Sequence, residues 1–171
     1  MLKQPVFIVG PMGVGKTTIG KLLAAELRLP FVDSDRVLEE RTGADIPWIF
    51  DVEGEQGFRR RESAVLADLC EDVVQVVATG GGIVLAPENR QLLVSRGIVI
   101  YLTADTDLLV ARTSKSSNRP LLQVDDPRQT IERLLRERDP LYRDVADLTC
   151  DTASASPRQV AQRIARWLEE R

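Results

Sequence analysis

The sequence predicts an α/β fold, a three-layer α/β/α arrangement around a central five-stranded parallel sheet. Three observations predict it. Short apolar runs recur at 6–10, 30–33, 73–79, 98–102 and 147–151. Segments with helical spacing of apolar residues separate them, and strands alternating with helices require parallel pairing with both sheet faces covered. A glycine-rich turn, Gly10-Pro-Met-Gly-Val-Gly-Lys-Thr17, joins the first run to the first helical segment. The 171 residues suit a single domain, 1–171, and 43% apolar with 29% charged residues is an ordinary globular balance.

Each element has its own reason. Val6-Phe-Ile-Val9 is continuously apolar, as a strand buried on both faces must be. Helix 16–28 carries Ile19, Leu22, Leu23 and Leu27 on one face. The run 30–33 leads into helix 35–42, which stops at Gly43, a C-cap residue type. Helix 55–71 is marked by Phe58, Val65, Leu66 and Leu69. Helix 87–96 opens on Pro87 and closes on Gly97. Asp126-Pro127 and Ser156-Pro157 each pair a capping residue with a first-turn proline, and begin helices 127–139 and 157–170. The polar stretch 112–122 lies between helices. Its Lys115 and Arg119 favour a mobile lid over a plain surface loop.

Composition narrows the function. A net charge of −3 argues against nucleic acid as the main partner. There is no histidine, so no imidazole serves as base or metal ligand. Cys70 and Cys150 have neither metal-ligand nor redox spacing and read as buried thiols. No signal-peptide pattern and no membrane-length apolar stretch is visible, so the expectation is a cytoplasmic protein with no membrane partner. With no obvious apolar face, the expectation is also a monomer.

Residues 10–17 read G-x-x-x-x-G-K-T between a strand and a helix, the P-loop in its required context. Its amides, from Gly13, Val14, Gly15 and Thr18 among others, and the following helix N-terminus favour phosphate oxygens. Lys16 has the reach for the β- and γ-phosphates, and the Thr17 hydroxyl suits Mg²⁺. The motif alone points to a nucleoside triphosphate with Mg²⁺; it does not say what is done with it.

A second set of residues surrounds that loop. Asp33 and Asp35 follow the second strand, where open α/β sheets bind ligands. An extended pair at i and i+2 aims both carboxylates the same way; capping of helix 35–42 by Asp35 is the plainer reading. Arg59 and Glu62 share a helix face, which an ordinary ion pair also explains. Gly80, Gly81 and Gly82 follow a strand and offer bare backbone to an anionic or hydroxylated ligand. Arg143, in Pro-Leu-Tyr-Arg, is a weak signal by itself.

In order and spacing, GPMGVGKTTIG, DSD at 33–35, GEQGFRRRE at 54–62, TGGG at 79–82, RPLL at 119–122 and PLYR at 140–143 resemble the shikimate kinases, in their bacterial monofunctional form. The resemblance runs over nearly the whole chain. It implies transfer of phosphate from ATP to the 3-hydroxyl of shikimate, in aromatic amino-acid biosynthesis, with residues 33–62 as the substrate-binding region. It implies Lys16 on the transferred phosphate and Mg²⁺ held by Thr17 and Asp33. Asp35 would bind shikimate hydroxyls, and Arg59 and Arg143 would grip its carboxylate. Glu62 would orient Arg59, the three glycines would line the ring, and Phe50 and Phe58 would wall the pocket. Arg119 would reach ATP from the lid, and Arg112 and Pro157 would flank the adenine. Ala155 stands where some members carry a basic residue. Two other readings stay open: another small-molecule kinase, for gluconate or nucleoside monophosphates, and a nucleotide-binding module without transferase activity.

Overall fold

The structure is a computed structural model describing residues 1–71, 73–114 and 126–171. Its five strands are β1 (Val6–Val9), β2 (Phe31–Asp33), β3 (Val76–Ala78), β4 (Ile98–Thr103) and β5 (Leu148–Asp151). They pair in parallel in the order β2-β3-β1-β4-β5. The helices among the described residues are α1 (Lys16–Leu27), α2 (Ser34–Thr42), α3 (Ile46–Leu69), α4 (Pro87–Arg96), α5 (Thr106–Thr113), α6 (Pro127–Val145) and α7 (Pro157–Glu169). None of them is long and apolar enough to cross a membrane.

Strand alternation divides the core. Val6 and Ile8 of β1 face one layer, where they pack with Ile19 and Leu23 of α1 and Ile164 of α7. Phe7 and Val9 face the other, with Val77, Val99, Tyr101 and Tyr142. A smaller cluster, Leu38, Ile46, Ile49, Phe58 and Val65, ties α2 to α3. The chain steps from β3 across β1 to β4, so the C-terminal ends of β1 and β3 open a crevice at the point where strand order reverses.

Three elements differ from the sequence expectation. Helix α3 begins at Ile46, not 55, because Asp45 caps it and Ile46 and Ile49 are buried. It is broken at Gly54, whose φ of 71° and ψ of −179° only glycine adopts at low cost. Helix α5, capped by Asp105 and anchored by buried Leu109, falls in a segment whose spacing predicts no helix. Helix α6 continues through Pro140 to Val145, because Ile131, Leu134, Arg138, Tyr142 and Val145 keep one face buried. Both cysteines are buried free thiols, and burial pushes Cys70 up to about 11, so it stays protonated and unreactive.

Candidate active site

The phosphate loop follows from the way α1 starts. Helices α2, α3, α5, α6 and α7 carry Asp or Ser caps (Asp33, Asp45, Asp105, Asp126 and Ser156). Helix α1 instead begins on Gly15, in left-handed geometry at φ 106°, with no side-chain cap and no acid in its first turn. Its first amides are therefore open to an anion. Lys16 Nζ donates to the carbonyls of Gly10 and Pro11 at 2.8 and 2.9 Å, which lays its charge along the loop. Gly13, Val14, Gly15, Lys16, Thr17 and Thr18 line one wall of a cleft of about 730 Å³.

The cleft continues to the end of β2. Thr17 Oγ1 donates to Asp33 Oδ2 at 2.8 Å. Asp33, not Asp35, caps α2, its other oxygen accepting from the amides of Asp35 and Arg36. The extended i, i+2 geometry expected for the two acids is therefore replaced: Asp33 ends a strand while Asp35 sits in the first turn of a helix. Both still line the cleft, together with Gly80 and Gly81. A hydroxyl and a carboxylate meeting beside the phosphate loop are hard oxygen donors, and the pair fits Mg²⁺.

The glycine triplet is a matter of space. A Cβ at Gly80 would stand 2.8 Å from both Asp35 Oδ1 and Glu62 Oε2. A Cβ at Gly82 would overlap the Arg59 guanidinium. Arg59 Nη1 donates to Glu62 Oε1 at 3.0 Å, and Nη2 reaches Glu55 at 3.4 Å. Burial of Glu62 pushes its pKa above the usual carboxylate range, while Arg59 and Arg138 pull against that rise. Phe58 is a core residue whose ring lies 5.1 Å from the Arg59 guanidinium, and Phe50 stacks on it at 4.9 Å. The two rings belong to the small α2–α3 cluster, with Phe58 beside the Arg59 guanidinium.

Arg143 requires a correction. Its side chain is 57% exposed, Nε is 2.9 Å from Asp139 Oδ2, and its guanidinium lies 5.7 Å from the Tyr101 ring centre. It does not converge with Arg59. The buried guanidinium on this helix is Arg138, 4% exposed, five residues earlier and about 140° around the helix. Arg138 Nη1 would lie 3.5 Å from a Cβ at Gly81, and the charge of Arg138 acts on both Glu62 and Tyr142. Arg59 Nε, Arg138 Nε and Glu62 Oε2 are buried polar atoms with no hydrogen-bond partner among the described residues. Such atoms are rare in folded proteins and here converge beside the glycines.

At the far end of the cleft, Arg112 donates to the carbonyls of Gly13 and Val14 at 3.3 and 2.9 Å, and Pro157 and Thr152 complete the wall. Arg119 and most of the 112–122 stretch lie outside the described residues.

A family model described as shikimate kinase matches residues 12–169. The shikimate kinase of Vibrio parahaemolyticus is 55% identical over 169 residues, covering 99% of this chain and 98% of that one. This chain belongs to the shikimate kinase family. The solved structure of the Acinetobacter baumannii shikimate kinase in complex with shikimate superposes with a TM-score of 0.95 at 48% identity, covering 98% of this chain and 93% of the other. The Aquifex aeolicus shikimate kinase gives a TM-score of 0.83 at 34% identity, covering 96% of each chain.

For this shikimate kinase family member, the fold gathers Gly13 to Thr18, Asp33, Asp35, Gly80, Gly81, Arg112 and Pro157 about one cleft. Arg59, Glu62 and Gly82 lie directly behind Gly80. Sequence reasoning missed Arg138 and Thr152. A signal for Arg138 existed: Ile131, Leu134, Tyr142 and Val145 form a stripe at helical spacing with Arg138 inside it, and a cation inside such a stripe needs a buried partner.

Proposed function

We infer that this chain transfers the γ-phosphoryl group of ATP to the 3-hydroxyl of shikimate, giving shikimate 3-phosphate and ADP in aromatic amino-acid biosynthesis. The observation that carries the reading is that one cleft runs from the open N-terminus of α1 to Asp35 and the glycines, inside a chain of this family. Donor phosphates and an acceptor hydroxyl then meet without either leaving the site. Among the acceptors the sequence leaves open, family membership favours shikimate over gluconate and nucleoside monophosphates.

In the proposed reaction the hydroxyl oxygen attacks the γ-phosphorus as the bond to the β-bridging oxygen breaks. Such transfers need alignment and charge neutralisation more than covalent help. Lys16 and the α1 amides hold the phosphate tail. Asp35 orients the hydroxyl and stands where its proton is released. Arg59, steadied by Glu62, and Arg138 present two guanidiniums to the acceptor's carboxylate, whose planar shape suits bidentate donors. Thr17 and Asp33 would hold Mg²⁺ at the phosphates. An ion held there would supply positive charge to the phosphate tail. Arg112 and Pro157 flank the base.

Arg119 is our candidate for the arginine that meets the transferring charge, a contribution of about 10³–10⁵ in rate where such residues act. Arg119→Ala is expected to lower turnover, and unchanged turnover would remove the assignment. We further propose a monomer working in the cytoplasm.

The reading is tested by coupled ADP release across shikimate, gluconate and nucleoside monophosphates as acceptors. Shikimate is expected to support turnover and the others to give only background. Turnover with a nucleoside monophosphate, or tight ATP binding with no acceptor used, would overturn it.

A further inference from the structure

Tyr142 has no place in the reaction outlined above, yet it is fully buried against the acceptor side of the cleft. Its hydroxyl donates to the carbonyl of Gly81, the middle glycine of the triplet. Arg138, one helical turn back on α6, lies near the same phenol, and both residues border a small gap beneath Pro11 and Met12 of the phosphate loop. Burial raises the Tyr142 phenol to about 12, with Arg138 pulling the other way, so it remains a neutral donor at working pH.

The ring is held as firmly as the hydroxyl. It stacks on Tyr101 of β4 with centroids 4.9 Å apart. The Tyr101 hydroxyl donates to Asp139 at 2.6 Å, and Asp139 also accepts from Arg143 at 2.9 Å. Residues 139 and 143, on the outer side of α6, thereby lock the helix to β4, while 138 and 142 reach inward. Gly81 carries no side chain of its own to fix it, and its carbonyl is fixed by Tyr142.

We propose that Tyr142 is a positioning residue for acceptor binding, resting on the reading that the acceptor is shikimate: its hydroxyl sets the Gly81 backbone and, through it, the place of the Arg138 guanidinium. The phenol itself touches neither ATP nor acceptor. Removing it leaves a buried carbonyl without a donor and lets the glycine run and Arg138 shift together.

The test is Tyr142→Phe, which keeps the ring stack and loses only the hydroxyl. The KM for shikimate is expected to rise about threefold to tenfold, the range one hydrogen bond supports, with KM for ATP and kcat within about twofold. An unchanged KM for shikimate, or equal rises for both substrates with a fall in kcat, would overturn the proposal. A second readout needs no variant of Tyr142. The chain has two tyrosines, so 3-fluorotyrosine labelling gives two ¹⁹F resonances, assigned with Tyr101→Phe. The Tyr142 resonance is expected to move on adding shikimate and to stay still on adding ADP; a resonance insensitive to shikimate would overturn the proposal. Wild-type protein that neither binds nor phosphorylates shikimate would instead remove the functional reading, and the proposal with it.

Discussion

Thr17 and Asp33, 16 residues apart, are joined by a 2.8 Å hydrogen bond where α1 begins and β2 ends. One Asp33 oxygen takes that hydroxyl while the other caps α2. The residue thus fixes a helix and presents an oxygen to the phosphate site at once.

The two roles separate in Asp33→Asn. Asparagine caps about as well as aspartate, so stability is expected to fall by roughly 0.5 kcal/mol or less. The Mg²⁺ concentration for half-maximal activity is expected to rise severalfold, since a neutral amide binds a hard cation poorly. A metal titration of activity beside a urea melt checks both.

Arg138 and Arg143 make opposite predictions. Arg138→Ala is expected to raise KM for shikimate by about 30-fold or more, from the 2–5 kcal/mol typical of a truncated buried charge contact, with KM for ATP little changed. Arg143→Ala removes a largely exposed ion pair to Asp139, so its effect on either KM is expected to stay within about threefold. Steady-state kinetics on the two variants decides which arginine meets the acid.

Gly82→Ala introduces a methyl group where the Arg59 guanidinium lies. Gly82 is not among the positive-φ glycines, so backbone strain does not confuse the result. Arg59 is expected to be displaced, and shikimate binding to weaken at least tenfold (about 1.4 kcal/mol), while ATP binding persists. Calorimetric titration with each ligand tests this.

Glu62 gives a pH signature. Burial is the larger influence and Arg59 opposes it, and its folded pKa stands above the ordinary value of 4.5. The folded state therefore holds this proton more tightly than the unfolded chain. The stability it contributes is complete below pH 4.5 and is lost as pH rises through the elevated folded value. Glu62→Gln does not titrate. The stability of the variant relative to wild type is expected to improve as pH rises through that window, even though looser orientation of Arg59 weakens shikimate binding. Denaturant melts from pH 4 upward supply the comparison.

Much of this was legible in the chain itself. A strand, three glycines, a lysine and a threonine at fixed spacing specify the phosphate loop, because every part of that device is local. Strands β1 and β4 declared themselves as continuous apolar runs, since burial on both faces leaves no polar position. Helix α5 and the first turns of α3 were harder to read. Their burial is confined to a few residues, such as Leu109, Ile46 and Ile49, so periodicity is weak.

The order of residues was enough for the fold class, the nucleotide loop and the family, for these rest on short-range spacing and strand patterning. Packing in three dimensions was needed to see which arginine of α6 turns inward, that Asp33 rather than Asp35 caps α2, and that Tyr142 holds the Gly81 carbonyl. The direction a side chain takes depends on the rotation of its helix against a distant sheet. Five residues along α6 separate a cation buried beside Gly81 from one that stays in solvent on Asp139.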